Sequence, residues 1–233
     1  MTAGRGISHS EMFPLLDRAA PNPMELFQIW LNLPKADKMV PPHFTMLWDE
    51  GIPRVKAAGV EVTVVAGALE GHRAPSPPPH SWASRPDTDV AIWAIKLDPG
   101  ARWSLPAASV GVNRNLYLFE GGDVRVDGRG IAPPTGIKLR PDVAVLLENG
   151  AQSAELLLLQ GRPIAEPVVQ HGPFVMNTST EIQEAFSEYR STRFGGWPWK
   201  KDDPVHGRDA GRFARHADGR EERPALAPSR AKD

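Results

Sequence analysis

Val90-Ala91-Ile92-Trp93-Ala94-Ile95-Lys96-Leu97 is an apolar run rich in β-branched and aromatic side chains that stops at the turn pair Pro99-Gly100. Such side chains fit a pleated, half-buried surface, and a Pro-Gly pair ends it, so the run reads as a strand. Runs of the same kind lie on either side. Leu26-Phe27-Gln28-Ile29-Trp30-Leu31-Asn32-Leu33 alternates and ends at Pro34, and Val60-Glu61-Val62-Thr63-Val64-Val65 stops before Gly67. Leu116-Tyr117-Leu118-Phe119 leads through Glu120-Gly121-Gly122 to Asp123-Val124-Arg125-Val126, which reads as a hairpin about a Gly-Gly pair. Val143 to Leu147 and Ala154 to Leu159 flank a turn at Asn149-Gly150. With 24 prolines and 21 glycines spread between these runs, the sequence predicts an all-β protein, its antiparallel strands forming a sandwich or barrel.

One helix stands out. Thr178 followed three residues later by Glu181 is a capping-box pattern, and Ile182, Ala185, Phe186 and Tyr189 mark one apolar face. Gly195-Gly196 lies beyond, so the helix is expected from about Ser179 to Arg193. From Lys200 the chain is polar and aperiodic. Trp197, Trp199 and Phe213 are the residues there able to pin it down, and the last ten or so residues are expected to be disordered.

The composition narrows the classes of function. The 233 residues carry a formal net charge of -1 and no cysteine. Direct nucleic-acid binding is not expected, and disulfides, thiol catalysis and zinc fingers are excluded. No apolar run approaches the roughly 20 residues of a membrane helix. The N-terminus shows no apolar signal segment. The expectation is a cytoplasmic protein without a membrane partner. There is no Gly-x-Ser-x-Gly elbow, and Gly121-Gly122 is followed by a strand pattern rather than by a phosphate-binding helix.

The chemistry-bearing residues stand near the start, in Gly4-Arg5-Gly6-Ile7-Ser8-His9-Ser10-Glu11-Met12. On a strand, residues two apart leave the same face, so the His9 imidazole and the Glu11 carboxylate would point into one space. That is the beginning of a transition-metal site, though two donors are fewer than the usual three or more. Ile7, Phe27 and Ile29 are candidates to line a pocket beside it. His171, between Gln170 and Gly172-Pro173, is expected to play a structural part.

From Gly4 to about Pro224 the chain resembles the pirin family. The first motif carries the resemblance, together with Leu26 to Pro34, Lys38-Met39-Val40-Pro41-Pro42, Leu97-Asp98-Pro99-Gly100 and the long run Gly161 to Thr178. The segment Phe194-Gly195-Gly196-Trp197-Pro198-Trp199 resembles the tail of bacterial members. The resemblance implies tandem cupin barrels and a metal, usually iron, held in the first barrel by three histidines and a glutamate. It implies either quercetin 2,3-dioxygenase activity on a flavonol-like molecule or a metal-dependent regulatory role with a protein partner.

By position, His9 and Glu11 match the last two metal ligands. Glu11 would also be the catalytic proton acceptor when off the metal. The family's His-x-His pair occurs nowhere in this chain. The resemblance therefore implies that residues 1–50 are a remnant of the first barrel, residues 55–175 a second barrel without metal ligands, and residues 176–233 the helix and tail. A divalent iron would be weakly held or absent. The chain would be truncated or degenerate, and open to self-association.

Overall fold

The computed structural model describes residues 1–202 and 204–225. The chain divides into two units, Gly51–Pro77 with Trp82–Ala165, and Met1–Glu50 with Pro78–Ser81 and the chain from Glu166 onward. The first of these holds twelve strands: β1 (Arg54–Ala57), β2 (Val60–Ala66), β3 (Ala68–Leu69), β4 (His72–Arg73), β5 (Ala91–Leu97), β6 (Arg102–Leu105), β7 (Asn113–Gly121), β8 (Val124–Val126), β9 (Arg129–Ile131), β10 (Thr135–Lys138), β11 (Val145–Asn149) and β12 (Ala154–Gly161).

Two antiparallel sheets are built from ten of them, six strands in the order β1-β2-β5-β12-β7-β10 and four in the order β6-β11-β8-β9, while β3 and β4 pair only with each other. Strand β12 is central, pairing Leu158 with Trp93 of β5 on one side and with Leu116 of β7 on the other. The alternation read in the sequence decides what is buried. Val62, Ile95, Leu118 and Leu156 of the larger sheet and Leu105, Val124 and Leu147 of the smaller join one apolar core, each 1% exposed or less. The all-β reading holds, and so do the strands expected at Val60, Val90, Leu116 and Ala154.

The expected hairpin about Gly121-Gly122 does not form. Strand β7 belongs to the six-stranded sheet and β8 to the four-stranded one, so the glycines carry the chain from one sheet to the other. Gly121 has φ +102°, and a Cβ there would overlap the Ser153 carbonyl. A Gly-Gly pair thus marks a close backbone crossing here rather than a two-residue hairpin loop. The tight hairpin is the next one, where Asp127 and Gly128 turn β8 into β9 with positive φ at both residues.

In the second unit, β13 (Val169–His171) pairs with β14 (Phe174–Met176), and α1 (Ser179–Thr192) follows. The capping box is present in full: the Thr178 side chain accepts from the Glu181 amide, and the Glu181 carboxylate accepts from the Thr178 amide. Phe174, Phe186, Tyr189 and Phe194 form an aromatic cluster with centroids 4.9–5.9 Å apart. The polar tail is more ordered than its sequence suggests. Strand β15 (Ala214–Arg215) pairs with β16 (Glu221–Glu222), while Phe213 lies under the Arg215 and Arg223 guanidinium groups. The disorder expected for the last ten or so residues falls mainly on residues 226–233, which lie outside the described residues.

The strand expected over Leu26–Leu33 is not formed, and neither is one through His9 and Glu11. Phe13, Leu16, Leu26, Phe27 and Trp30 are exposed there. Alternation states which side a strand would bury, but a strand also needs a neighbouring backbone to take its N–H and C=O groups. No ladder partner for this segment exists among the described residues.

Candidate functional site

His9 and Glu11 are held by the chain on either side of them. The Ser8 amide donates to the Gly195 carbonyl at 2.7 Å, and the Arg5 amide donates to the Val40 carbonyl at 3.0 Å. Gly6, at φ +120°, meets the Cδ2–Cε2 edge of the Phe194 ring, where any Cβ would collide. The Gly4-Arg5-Gly6 motif and the Phe194-Gly195 motif are therefore two halves of one contact. The second follows α1 directly, with Arg193 in the left-handed conformation as its cap.

From this anchor the His9 imidazole and the Glu11 carboxylate come together, Nε2 lying 3.8 Å from Oε1. The side chains are 40% and 49% exposed. Phe27 and Ile29, expected to line a pocket beside the pair, are exposed. Among the described residues no group of three or more His, Cys, Asp or Glu side chains could hold a metal ion. The pair offers one nitrogen and one carboxylate in a wet setting, and a stable transition-metal centre takes three or more protein donors. The residues present do not by themselves fit an iron centre. In the double-sheet unit, the strands after Pro99-Gly100 and Asn149-Gly150 carry no histidine, and His72 is exposed on β4.

The other histidines have plain surroundings. The His171 ring meets Phe186 edge-on at 5.5 Å. His80 Nδ1 faces Asp37 at 3.4 Å, and His216 packs on Phe44 and faces Glu222 at 3.1 Å.

A polar network in the same unit joins residues of three further motifs, Asn32, Lys38, and Glu166 with Asn177. Glu166 Oε2 accepts from the Lys35 amide (2.6 Å) and from Asn177 Nδ2 (3.1 Å). Lys38, 4% exposed, donates from Nζ to Asn32 Oδ1 at 2.8 Å. Burial lowers the Lys38 pKa, and the Glu166 and Glu181 charges offset part of that. Glu181 Oε1 also stands 3.3 Å from Lys35 Nζ. The role of Lys38 escapes sequence reading, because a lysine near a proline pair looks like surface. Its only signal is its place inside a motif.

Residues 92–195 match the family model for the pirin C-terminal cupin domain. The chain is 37% identical over 194 residues to a Pseudomonas aeruginosa protein provisionally named quercetin 2,3-dioxygenase, covering 82% of this chain and 65% of that protein. It is 36% identical to rat pirin, covering 84% of this chain and 64% of pirin. A solved structure named quercetin 2,3-dioxygenase, from Acinetobacter baumannii, superposes with a TM-score of 0.59 at 26% identity, covering 71% of this chain and 55% of that one. The chain thus spans just under two thirds of the length of the curated relatives it matches. The double-sheet architecture, the matched domain and these relatives agree: the chain belongs to the pirin family of cupin proteins.

Proposed function

We propose that this chain is a pirin-type cupin protein whose His9 and Glu11 supply two donors of a divalent-metal site, and that flavonol oxygenation needs donors beyond these two. The observation that carries the reading is the 3.8 Å approach of His9 Nε2 to Glu11 Oε1 in a segment anchored at both Val40 and Gly195. Similarity to proteins named quercetin 2,3-dioxygenase supports the flavonol class and a metal cofactor in general. The test is iron content and oxygen uptake with quercetin on the purified chain beside His9→Ala and Glu11→Ala. The proposal expects iron well below one equivalent and no quercetin-dependent uptake. One retained equivalent with turnover would show the two donors to be sufficient and overturn it.

A second reading rests on the exposed apolar side chains from Met12 to Leu31, of which Leu16 is 61% and Trp30 56% exposed. Single exposed apolar residues are ordinary, whereas a long row of them is typical of a surface that meets another protein. Under this reading the chain is a non-catalytic regulatory module of the cytoplasm that binds a protein partner or a second copy of itself. Concentration-dependent light scattering separates self-association from a monomer.

A further inference from the structure

The outer strands of the two sheets each carry a basic side chain: Arg54 and Lys56 on β1, Lys138 on β10, Arg102 on β6 and Arg129 on β9. Such charges keep an open strand edge from pairing with another chain. The run Leu26-Phe27-Gln28-Ile29-Trp30-Leu31-Asn32-Leu33 has no charge, no proline and no glycine. Its backbone is nonetheless open. Among the described residues, no backbone N–H or C=O group of residues 28–33 has a backbone partner. An uncharged, alternating segment with its backbone unpaired is a template for a further strand.

Its side chains are open as well. Trp30 is 56% exposed, and nine more large apolar side chains between Met12 and Leu31 are exposed in the same unit. Together the ten present on the order of 1,000 Å² to water, where an ordinary stable interface takes about 800 Å² from each partner.

The run is also self-complementary. Two copies laid antiparallel about Trp30 put Gln28 opposite Asn32, Ile29 opposite Leu31 and Trp30 opposite Trp30. Amide then meets amide, aliphatic meets aliphatic and ring meets ring, and no like charges face each other. Asn32 Oδ1 accepts from Lys38 Nζ at 2.8 Å, which leaves its Nδ2 to donate to Gln28. Ile29, Leu31 and Leu33 of both copies fall on one apolar face. Moving the centre by half a residue sets Gln28 against Leu31 or Ile29 against Asn32, and moving it by a whole residue sets Trp30 against Gln28 or Asn32.

We propose that two copies of this chain pair through residues 28–32 as an antiparallel ladder centred on Trp30. Such a contact is two-fold symmetric and closes on itself, with an aromatic pair at its middle. The pairing rests on the second reading above, in which the exposed apolar row is an interaction surface, and fixes its occupant and register. It is independent of any metal at His9 and Glu11.

The experiment combines sedimentation velocity of the full chain over a range of concentrations with thiol cross-linking. The parent is expected to pass from monomer to dimer as concentration rises. Trp30→Lys sets two ammonium groups against each other and should weaken the dimer by about tenfold or more. The chain has no cysteine, so an introduced thiol has no background. Ile29→Cys mixed with Leu31→Cys should link into a mixed dimer faster than either links to itself. Val205→Cys, at a residue 89% exposed in the tail, should stay unlinked. Should Trp30→Lys fail to fold, the thiol arm, which keeps Trp30, decides alone. A parent that stays monomeric throughout overturns the pairing and leaves the surface of the second reading to a different protein. A dimer that Trp30→Lys leaves intact, or in which the mixed thiols link no faster than each alone, overturns this pairing while self-association stands. Open-ended aggregation in place of a closed dimer overturns it as well.

Discussion

Glu166 Oε2 accepts the Lys35 backbone N–H at 2.6 Å across 131 residues of chain. The same oxygen accepts from the side chain of buried Asn177 at 3.1 Å. One carboxylate therefore joins the short 3₁₀ turn at Lys35–Asp37 to the strand that leads into α1. Glu166→Ala strands both donors, and losing a buried partner costs about 1–3 kcal/mol. Urea unfolding should show a loss in that range. A change indistinguishable from zero would mean that water replaces the carboxylate.

The Glu181 carboxyl gives a pH dependence. Burial raises its pKa, but the Asn177 amide, the Lys35 ammonium and the Thr178 side chain together outweigh that and hold it below its ordinary 4.5. A carboxyl lowered by folding stabilises the folded state above its unfolded pKa, and that gain is lost as pH falls through the folded value. Glu181→Gln should therefore be less stable than the parent at neutral pH, with the gap closing as the medium is acidified below pH 4.5. Thermal unfolding of both proteins across that range reads the gap. A gap independent of pH would contradict the assignment.

Two positions test the double-sheet core. Asn149 Nδ2 donates to the carbonyls of Leu97 (3.1 Å), Asp98 (2.8 Å) and Gln152 (2.7 Å), tying the Pro99-Gly100 turn to the Asn149-Gly150 turn. Asn149→Ala leaves those carbonyls without this donor, and a loss of about 2 kcal/mol is expected from unmade buried bonds. Leu158, fully buried at the centre of the six-stranded sheet, should cost roughly 2–5 kcal/mol on truncation to alanine. Denaturant midpoints at constant slope measure both.

The sequence made the strands of the double-sheet unit and helix α1 legible, because period-two burial and the Thr178–Glu181 box are local signals. It misled at Gly121-Gly122, where the pair serves a crossing between sheets, a relationship set by Ser153 thirty-two positions later. It misled again at Leu26–Leu33, where the pattern is that of a strand but the ladder partner is not among the described residues. The proximity of His9 and Glu11 was legible from their spacing and motif. Their exposure was not, because it depends on what packs over them. The burial of Arg114, 1% exposed, was invisible as well, since an arginine at the end of an apolar alternation looks like the edge of a strand meeting water.

The most direct measurement is a Mn(II) titration of the purified chain, with unbound ion read by electron paramagnetic resonance, in parallel with His9→Ala and Glu11→Ala. Two half-exposed donors predict a dissociation constant on the order of 1 mM, about -4 kcal/mol, with that weak binding abolished in both variants. Tight one-to-one binding by the parent chain, or weak binding untouched by either substitution, would contradict the account.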